Sequence, residues 1–130
     1  RCEVAIIETG MGGRLDATNV IDPLVSVITP IALDHTKWLG ETPAQIATEK
    51  AGIIKPGRPV VSAPQSPEVT NVLQARAAET GSDLQFVTSP WEGPVGLIGP
   101  HQKWNASLAV LALKAAGLLP EPKCVEEGLA

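Results

Sequence analysis

The chain reads as an α/β domain built around a mainly parallel sheet, and three observations predict this. Short Val- and Ile-rich runs alternate with longer segments of helical periodicity. The short runs are bounded by glycines and prolines, as buried strands are. The longer segments open on capping signals and close on glycine.

In order, Glu3 to Glu8 is an apolar run that reads as a first buried strand, and it feeds a loop containing Gly10, Gly12 and Gly13. Asp22-Pro23 turns the chain into a second strand, Leu24 to Ile31. Thr42-Pro43-Ala44-Gln45 is a helix start: threonine caps, proline takes the first helical position and glutamine completes a capping box. This helix is expected to run to Ala51 and stop at Gly52.

After the Lys55-Pro56-Gly57 turn, Arg58 to Ala63 reads as a third strand. Ser66-Pro67-Glu68 begins a second helix with Val69, Val72, Leu73 and Ala77 on one face and Gly81 as its stop. Leu84 to Thr88 is a fourth strand. Ser89 to Gly99 is turn-rich, with a brief strand expected at Val95 to Ile98. From Lys103 to Ala116, Leu108, Leu111, Ala112 and Ala115 fall at core spacing on a third helix, closed by Gly117. Val125 to Ala130 reads as the start of a further helix. With no initiator methionine and an opening directly in strand-like sequence, the chain reads as a piece of a longer protein.

At 130 residues there is room for one domain with a real core. The hydrophobic share is 44% but only 3% is aromatic, so that core should be Val, Ile, Leu and Ala. A formal charge of -4 without a Lys/Arg cluster argues against nucleic acid as a partner. Cys2 and Cys124 show no metal-ligand spacing and read as reduced thiols of a cytoplasmic protein. No apolar run approaches the ~20 residues of a membrane helix, and no signal peptide is visible.

The residues that could carry chemistry cluster after the first two strands. G-x-G-G at Gly10 to Gly13 brings its third glycine too early for the dinucleotide fingerprint, which speaks against a Rossmann oxidoreductase. No G-x-x-x-x-G-K-[ST] phosphate loop occurs. Glu8, an acidic residue ending an apolar strand, needs a cation or donors nearby: either Arg14 in a salt bridge, or a hard metal ion such as Mg2+. His35 follows Asp34 beyond the second strand and is either a structural donor or a ligand; imidazole alone suits Zn2+ or Mn2+ better than Mg2+. Lys50, on the first helix, would ordinarily be a solvated surface lysine. Glu8 and the glycine loop at one strand end and Asp34-His35 at another suggest a shared site at the carboxyl edge of the sheet.

Taken together, E-T-G-M-G-G-R-L-D-A-T-N (Glu8 to Asn19), I-A-L-D-H-T-x-W-L-G (Ile31 to Gly40), E-K-A-G-I (Glu49 to Ile53) and G-P-H-Q-K-W-N-A (Gly99 to Ala106) resemble the folylpolyglutamate synthase/dihydrofolate synthase family of the Mur ligases. The resemblance implies a P-loop NTPase-like central domain whose P-loop segment is missing. Residues 1–130 would be part of that ATP-binding domain, with the C-terminal domain absent or only begun after about residue 118. It implies an ATP-dependent ligase that adds L-glutamate to dihydropteroate or to a folate through an acyl phosphate.

Carried over by position, Glu8 and His35 match magnesium ligands, with His35 also in the catalytic set, and Lys50 matches a carbamylated lysine. Leu15, Asp16 and Ala17 match pterin contacts, and Asn105 matches an ATP contact, with His101 and Gln102 as neighbours. The implied partners are ATP, Mg2+, L-glutamate and the pterin substrate; a monomer is expected. The passage from Phe86 to Leu97 is shorter than the resemblance implies, and Pro30 replaces a small polar residue. A peptidoglycan Mur ligase and a non-catalytic folding unit are the alternatives; R-L-D-A-T-N argues against the former. The chain alone is not expected to turn over.

Overall fold

A computed structural model of the chain describes residues 2–33 and 39–130. Its centre is a three-stranded, wholly parallel sheet in the order β1-β2-β3, with β1 at Ser26–Ile28, β2 at Val60–Ser62 and β3 at Leu84–Phe86. Ser26 pairs with Val60 and Val60 with Leu84, so the register is carried straight across. Each parallel step is bridged by a helix: α1 (Pro43–Ala51) between β1 and β2, and α2 (Pro67–Thr80) between β2 and β3. α3 (His101–Ala115) and the short α4 (Pro122–Leu129) follow.

Side-chain alternation along the strands explains the layers. Val60 and Ile28 point to one side, where they meet Ala47 and Ala51 of α1, Val69 and Leu73 of α2, and Ile54. Val61, one residue on, points to the other side and meets Ala63, Val87 and Leu108 of α3. The sheet is thereby covered on both faces, as parallel sheets require. Val60, Val61, Val69 and Leu73 are completely buried.

The helix starts form as their sequence dictates. Thr42 Oγ1 accepts from Gln45 N while Gln45 Oε1 accepts from the Thr42 main chain, closing the capping box. Ser66 Oγ caps α2 by accepting from Val69 N, without a reciprocal bond, and Gly81 ends the helix in the left-handed conformation, φ 63°. On α2, Val69, Leu73 and Ala77 are buried and Val72 is partly buried, the stripe expected from their spacing. α3 begins at His101, two residues before the expected Lys103, and has no side-chain cap.

Three expectations are corrected. The run Glu3 to Glu8 is not a strand: Ile6 is 96% exposed, Val4 and Ile7 are more than half exposed, and no bridge pairs it with β1. An extended run becomes a strand only against a neighbour that satisfies its backbone, and none is adjacent among the described residues. Val95 to Ile98 is likewise a loop, with Ile98 almost fully exposed, because Gly96 N instead donates to Leu129 O and ties the loop to α4. The strands that do form are three residues long, shorter than their apolar runs, because pairing and not composition sets their ends.

Candidate functional site

The glycine loop is held against the carboxyl end of α1. Arg14 N donates to Glu49 O at 2.8 Å, and the Asn19 side-chain amide donates to Gly52 O at 3.1 Å and to Arg14 O at 3.0 Å. Helix carbonyls at a C-terminus lack intrahelical partners, so the loop acts as a cap supplied from 35 residues away. The Arg14 guanidinium grips Glu49 with Nε and Nη2, the shortest bond being 2.9 Å. This corrects the Glu8–Arg14 pairing that sequence offered: the carboxylate that Arg14 takes is Glu49.

Two glycines make the approach possible. A Cβ on Gly13 would lie 2.9 Å from Glu49 O and from Ile53 Cγ2, and one on Gly52 would lie 2.4 Å from Arg14 Cβ. The sequence placed Gly13 in a loop at a possible shared site and Gly52 only at the stop of the helix. In the structure, Gly13 lets the loop approach a helix.

Asp16 organises the loop from inside. Its Oδ2 accepts from Gly10 N (2.8 Å) and Met11 N (3.2 Å), and its Oδ1 accepts from Thr18 N (2.9 Å) and the Thr18 hydroxyl. The Thr18 hydroxyl, followed by these main-chain donors, holds the carboxyl well below the usual range, at about 2. Asp16 also caps a 3-10 turn, Ala17–Val20. With its oxygens engaged by the loop, the surface that remains free belongs to Leu15, 80% exposed, and to the exposed Ala17.

Lys50 lies in the last turn of α1, partly buried, directly after Glu49. Glu8 is exposed, two residues before Gly10, but does not end a strand. His35 and Asp34 lie outside the described residues. Among the described residues no cluster of three or more His, Cys, Asp or Glu side chains forms a ready metal centre. Glu8 still fits one half of the expected donor set, an accessible carboxylate for an oxygen-seeking cation.

The structure therefore brings Leu15, Asp16, Ala17 and Lys50 into one region through the loop and α1. Asn105, Gln102 and His101 stand apart on the first two turns of α3, which packs on the other face of the sheet. Asn105 Nδ2 donates to Gln102 Oε1 at 3.0 Å, and both line an open cleft of about 500 Å³ together with Leu97 and Leu129. A second cleft of about 220 Å³ lies between Phe86, Trp91, Leu111 and Lys114. Neither cleft is lined by Glu8, Lys50 or the glycine loop.

Sequence reasoning missed two residues. Gln65 accepts from Ile31 N at 3.0 Å and donates to Thr29 O and Ser62 Oγ, stapling the chain that leaves β1 to the end of β2. That stapled chain is the one leading to Asp34-His35. Lys55 Nζ donates to Asn19 O at 2.6 Å and anchors the far end of the loop. Neither has a full local signal, because Ile31 and Thr29 for Gln65, and Asn19 for Lys55, lie more than 30 residues away.

No family model matches the chain. Individual relatives do. The chain is 46% identical over 112 residues to a probable folylpolyglutamate synthase of Schizosaccharomyces pombe, covering 83% of this chain and 22% of that protein. It is 36% identical to the folylpolyglutamate synthase of Lacticaseibacillus casei, covering 98% of this chain and 36% of the relative. Among solved structures, the apo form of the L. casei enzyme superposes with a TM-score of 0.86 at 36% identity, over 95% of this chain and 37% of that one. The E. coli enzyme in complex with DHPP and ADP gives 0.79 at 35% identity, over 94% and 33%.

The parallel sheet with helices on both faces is thus a portion of the Mur ligase fold. The chain spans between about a fifth and two fifths of the length of these relatives. Within that fold, it belongs to the folylpolyglutamate synthase/dihydrofolate synthase family. The aligned span with the L. casei relative, 156 positions, is longer than the chain itself, so that relative carries residues within it that this chain lacks.

Proposed function

We propose that this stretch is part of the ATP-handling central domain of a ligase that joins L-glutamate to dihydropteroate or to a folate. Residues 1–130 would form that part, with any C-terminal domain only begun after about residue 118. The observation that carries the reading is the docking of the Gly10–Asn19 loop on the end of the helix bearing Lys50. Two blocks that are 30 residues apart in sequence, both with counterparts in the family, meet there through Arg14, Asn19 and Gly13.

In the proposed reaction a carboxylate oxygen of the pterin substrate attacks the γ-phosphorus of ATP, and the bond to the bridging oxygen breaks to release ADP. The glutamate nitrogen then attacks the acyl carbon of the acyl phosphate. The carbon–oxygen bond breaks, inorganic phosphate leaves, and the amine gives up its proton to form the amide. Mg2+, when bound, supplies relief of phosphate charge. Glu8, His35 and Lys50 are the residues that would hold it. Condensation of the Lys50 amine with CO2, with loss of a proton, gives a carbamate whose oxygens suit that cation better than an ammonium or an imidazole.

Leu15 and Ala17 offer the exposed surface on which a pterin ring would rest. Asp16 holds that surface in shape, and a pterin N–H would share a carboxylate already bonded to the loop. Asn105, with Gln102 and His101 beside it, would meet ATP from α3. The exposed free thiols of Cys2 and Cys124 support a reducing, cytoplasmic setting. No helix among the described residues is long and apolar enough to cross a membrane.

The test is Lys50→Ala in a full-length synthase carrying this stretch, assayed with dihydropteroate and with tetrahydrofolate as acceptors. Ligase activity should collapse with both, and small added carboxylates should restore part of it. Unchanged turnover would overturn the assignment of Lys50.

A further inference from the structure

Glu49 and Lys50 are consecutive on α1, and consecutive helical residues project about 100° apart. Whatever fixes the direction of Glu49 therefore fixes the direction of Lys50. Glu49 is held twice: its carbonyl accepts from Arg14 N, and its carboxylate accepts three bonds from the Arg14 guanidinium. The Glu49 side chain is only 24% exposed, whereas that of Arg14 is 55% exposed, so the acid is seated and the arginine closes over it. A cation at the carboxyl end of α1 also suits the helix dipole there. The loop that supplies Arg14 is the loop that carries Glu8 at its beginning and Leu15 to Ala17 at its end.

We propose that Arg14 and Glu49 are a positioning pair: they lock the Glu8 and pterin-facing loop to the Lys50 helix in one register. The proposal rests on the functional reading above, in which Lys50 and that loop serve one site. A planar, two-nitrogen grip is the arrangement that lysine cannot reproduce, because an ammonium is a point donor on a flexible stem. Neither residue needs to touch a substrate for this role.

The experiment uses steady-state kinetics of the full-length synthase carrying Arg14→Ala, Arg14→Lys, Glu49→Gln, or the exchanged pair Arg14→Glu with Glu49→Arg. All are assayed well below their melting temperatures. Misplacement by an ångström costs catalysis far more than binding, so kcat should fall roughly ten- to a hundredfold in the single variants, with KM for ATP within about twofold of wild type. The exchanged pair should recover kcat to within about fivefold, as coupled residues do. Arg76→Ala, which removes an exposed pair on α2, serves as the control and should leave kcat unchanged.

Wild-type kcat in Arg14→Lys and Glu49→Gln would overturn the proposal. So would a loss fully explained by a smaller folded fraction and not recovered in the exchanged pair. If Arg14→Ala does not fold, Arg14→Lys, which keeps charge and stem, decides the matter. Lys50→Ala is run beside them. A fully active Lys50→Ala removes the functional reading, whereas a dead Lys50→Ala beside fully active Arg14 and Glu49 variants removes only the positioning pair.

Discussion

Gly52→Ala tests the docking of the loop directly. The Gly52 backbone sits in the ordinary right-handed region, φ -62° and ψ -14°, so conformational freedom is not the reason for glycine there. Considered alone, an alanine at such a position stabilises by about 0.4–1 kcal/mol, because the unfolded chain loses freedom. The contacts reverse the sign. The new Cβ would lie 2.4 Å from Arg14 Cβ and 2.5 Å from Arg14 Cα, well inside the roughly 3.5–4.0 Å of a comfortable carbon contact.

Those atoms cannot swing aside as a flexible side chain would, so the loop must shift as a body. Contacts this short fall in the upper half of the roughly 1–3 kcal/mol that overpacking costs, so about 2–3 kcal/mol set against that gain leaves a net loss of about 1–2.5 kcal/mol. In a domain of this size that lowers Tm by roughly 3–8 °C. Thermal unfolding followed by circular dichroism measures the loss, and tryptic cleavage after Arg14 reports the loop. Gly57→Ala is the comparison: its φ of 69° strains an alanine, but nothing lies within 4 Å of the added atom. It should lower Tm without exposing Arg14. A Gly52→Ala chain as stable as wild type, with Arg14 no easier to cleave, would refute the docking.

Further outcomes are expected. The Asp16 carboxyl should titrate near pH 2, below its ordinary 3.8, when followed by carbon NMR. Because its folded value is depressed, the stability it contributes is complete above about pH 3.8 and is lost as pH falls through about 2; Asp16→Asn should remove that dependence. Leu73→Ala, at a fully buried position, should cost about 2–5 kcal/mol in denaturant unfolding. Trp91 Nε1 is buried without a partner among the described residues, so Trp91→Phe should leave the melting temperature unchanged or raise it. Titrating Mg-ATP into this chain alone should give little heat by calorimetry, since its sequence contains no phosphate loop.

The legible parts of the fold were those with local causes. Thr42 with Gln45, and Ser66 with Pro67, set the starts of α1 and α2 from a few neighbouring atoms, and both helices begin where the sequence places them. Strand ends were less legible because they depend on partners. Leu24 to Ile31 is mostly apolar, yet only Ser26 to Ile28 pairs. Glu3 to Glu8 has strand composition and no neighbour, so it does not pair.

The site divides in the same way. The motif blocks could be read as strings, which singled out the loop, Lys50 and Asn105 as candidates. What joins the loop to Lys50 could not, because the Arg14–Glu49 grip spans 35 residues and sequence offered Glu8 as the nearer acid. Gly13 was visible as part of a glycine loop, but only the folded chain shows that this loop lies against a helix end.

The exposed run at the start of the chain has a consequence for handling the molecule. Val4, Ile6 and Ile7 stand in solvent beside main-chain groups that no neighbouring strand engages among the described residues, and β1 presents an open edge with Val27 39% exposed. Apolar side chains on an unpaired backbone are a template for pairing between molecules. Prepared by itself, the chain should self-associate as its concentration rises. A charged substitution such as Ile6→Lys should extend its working range without touching the core.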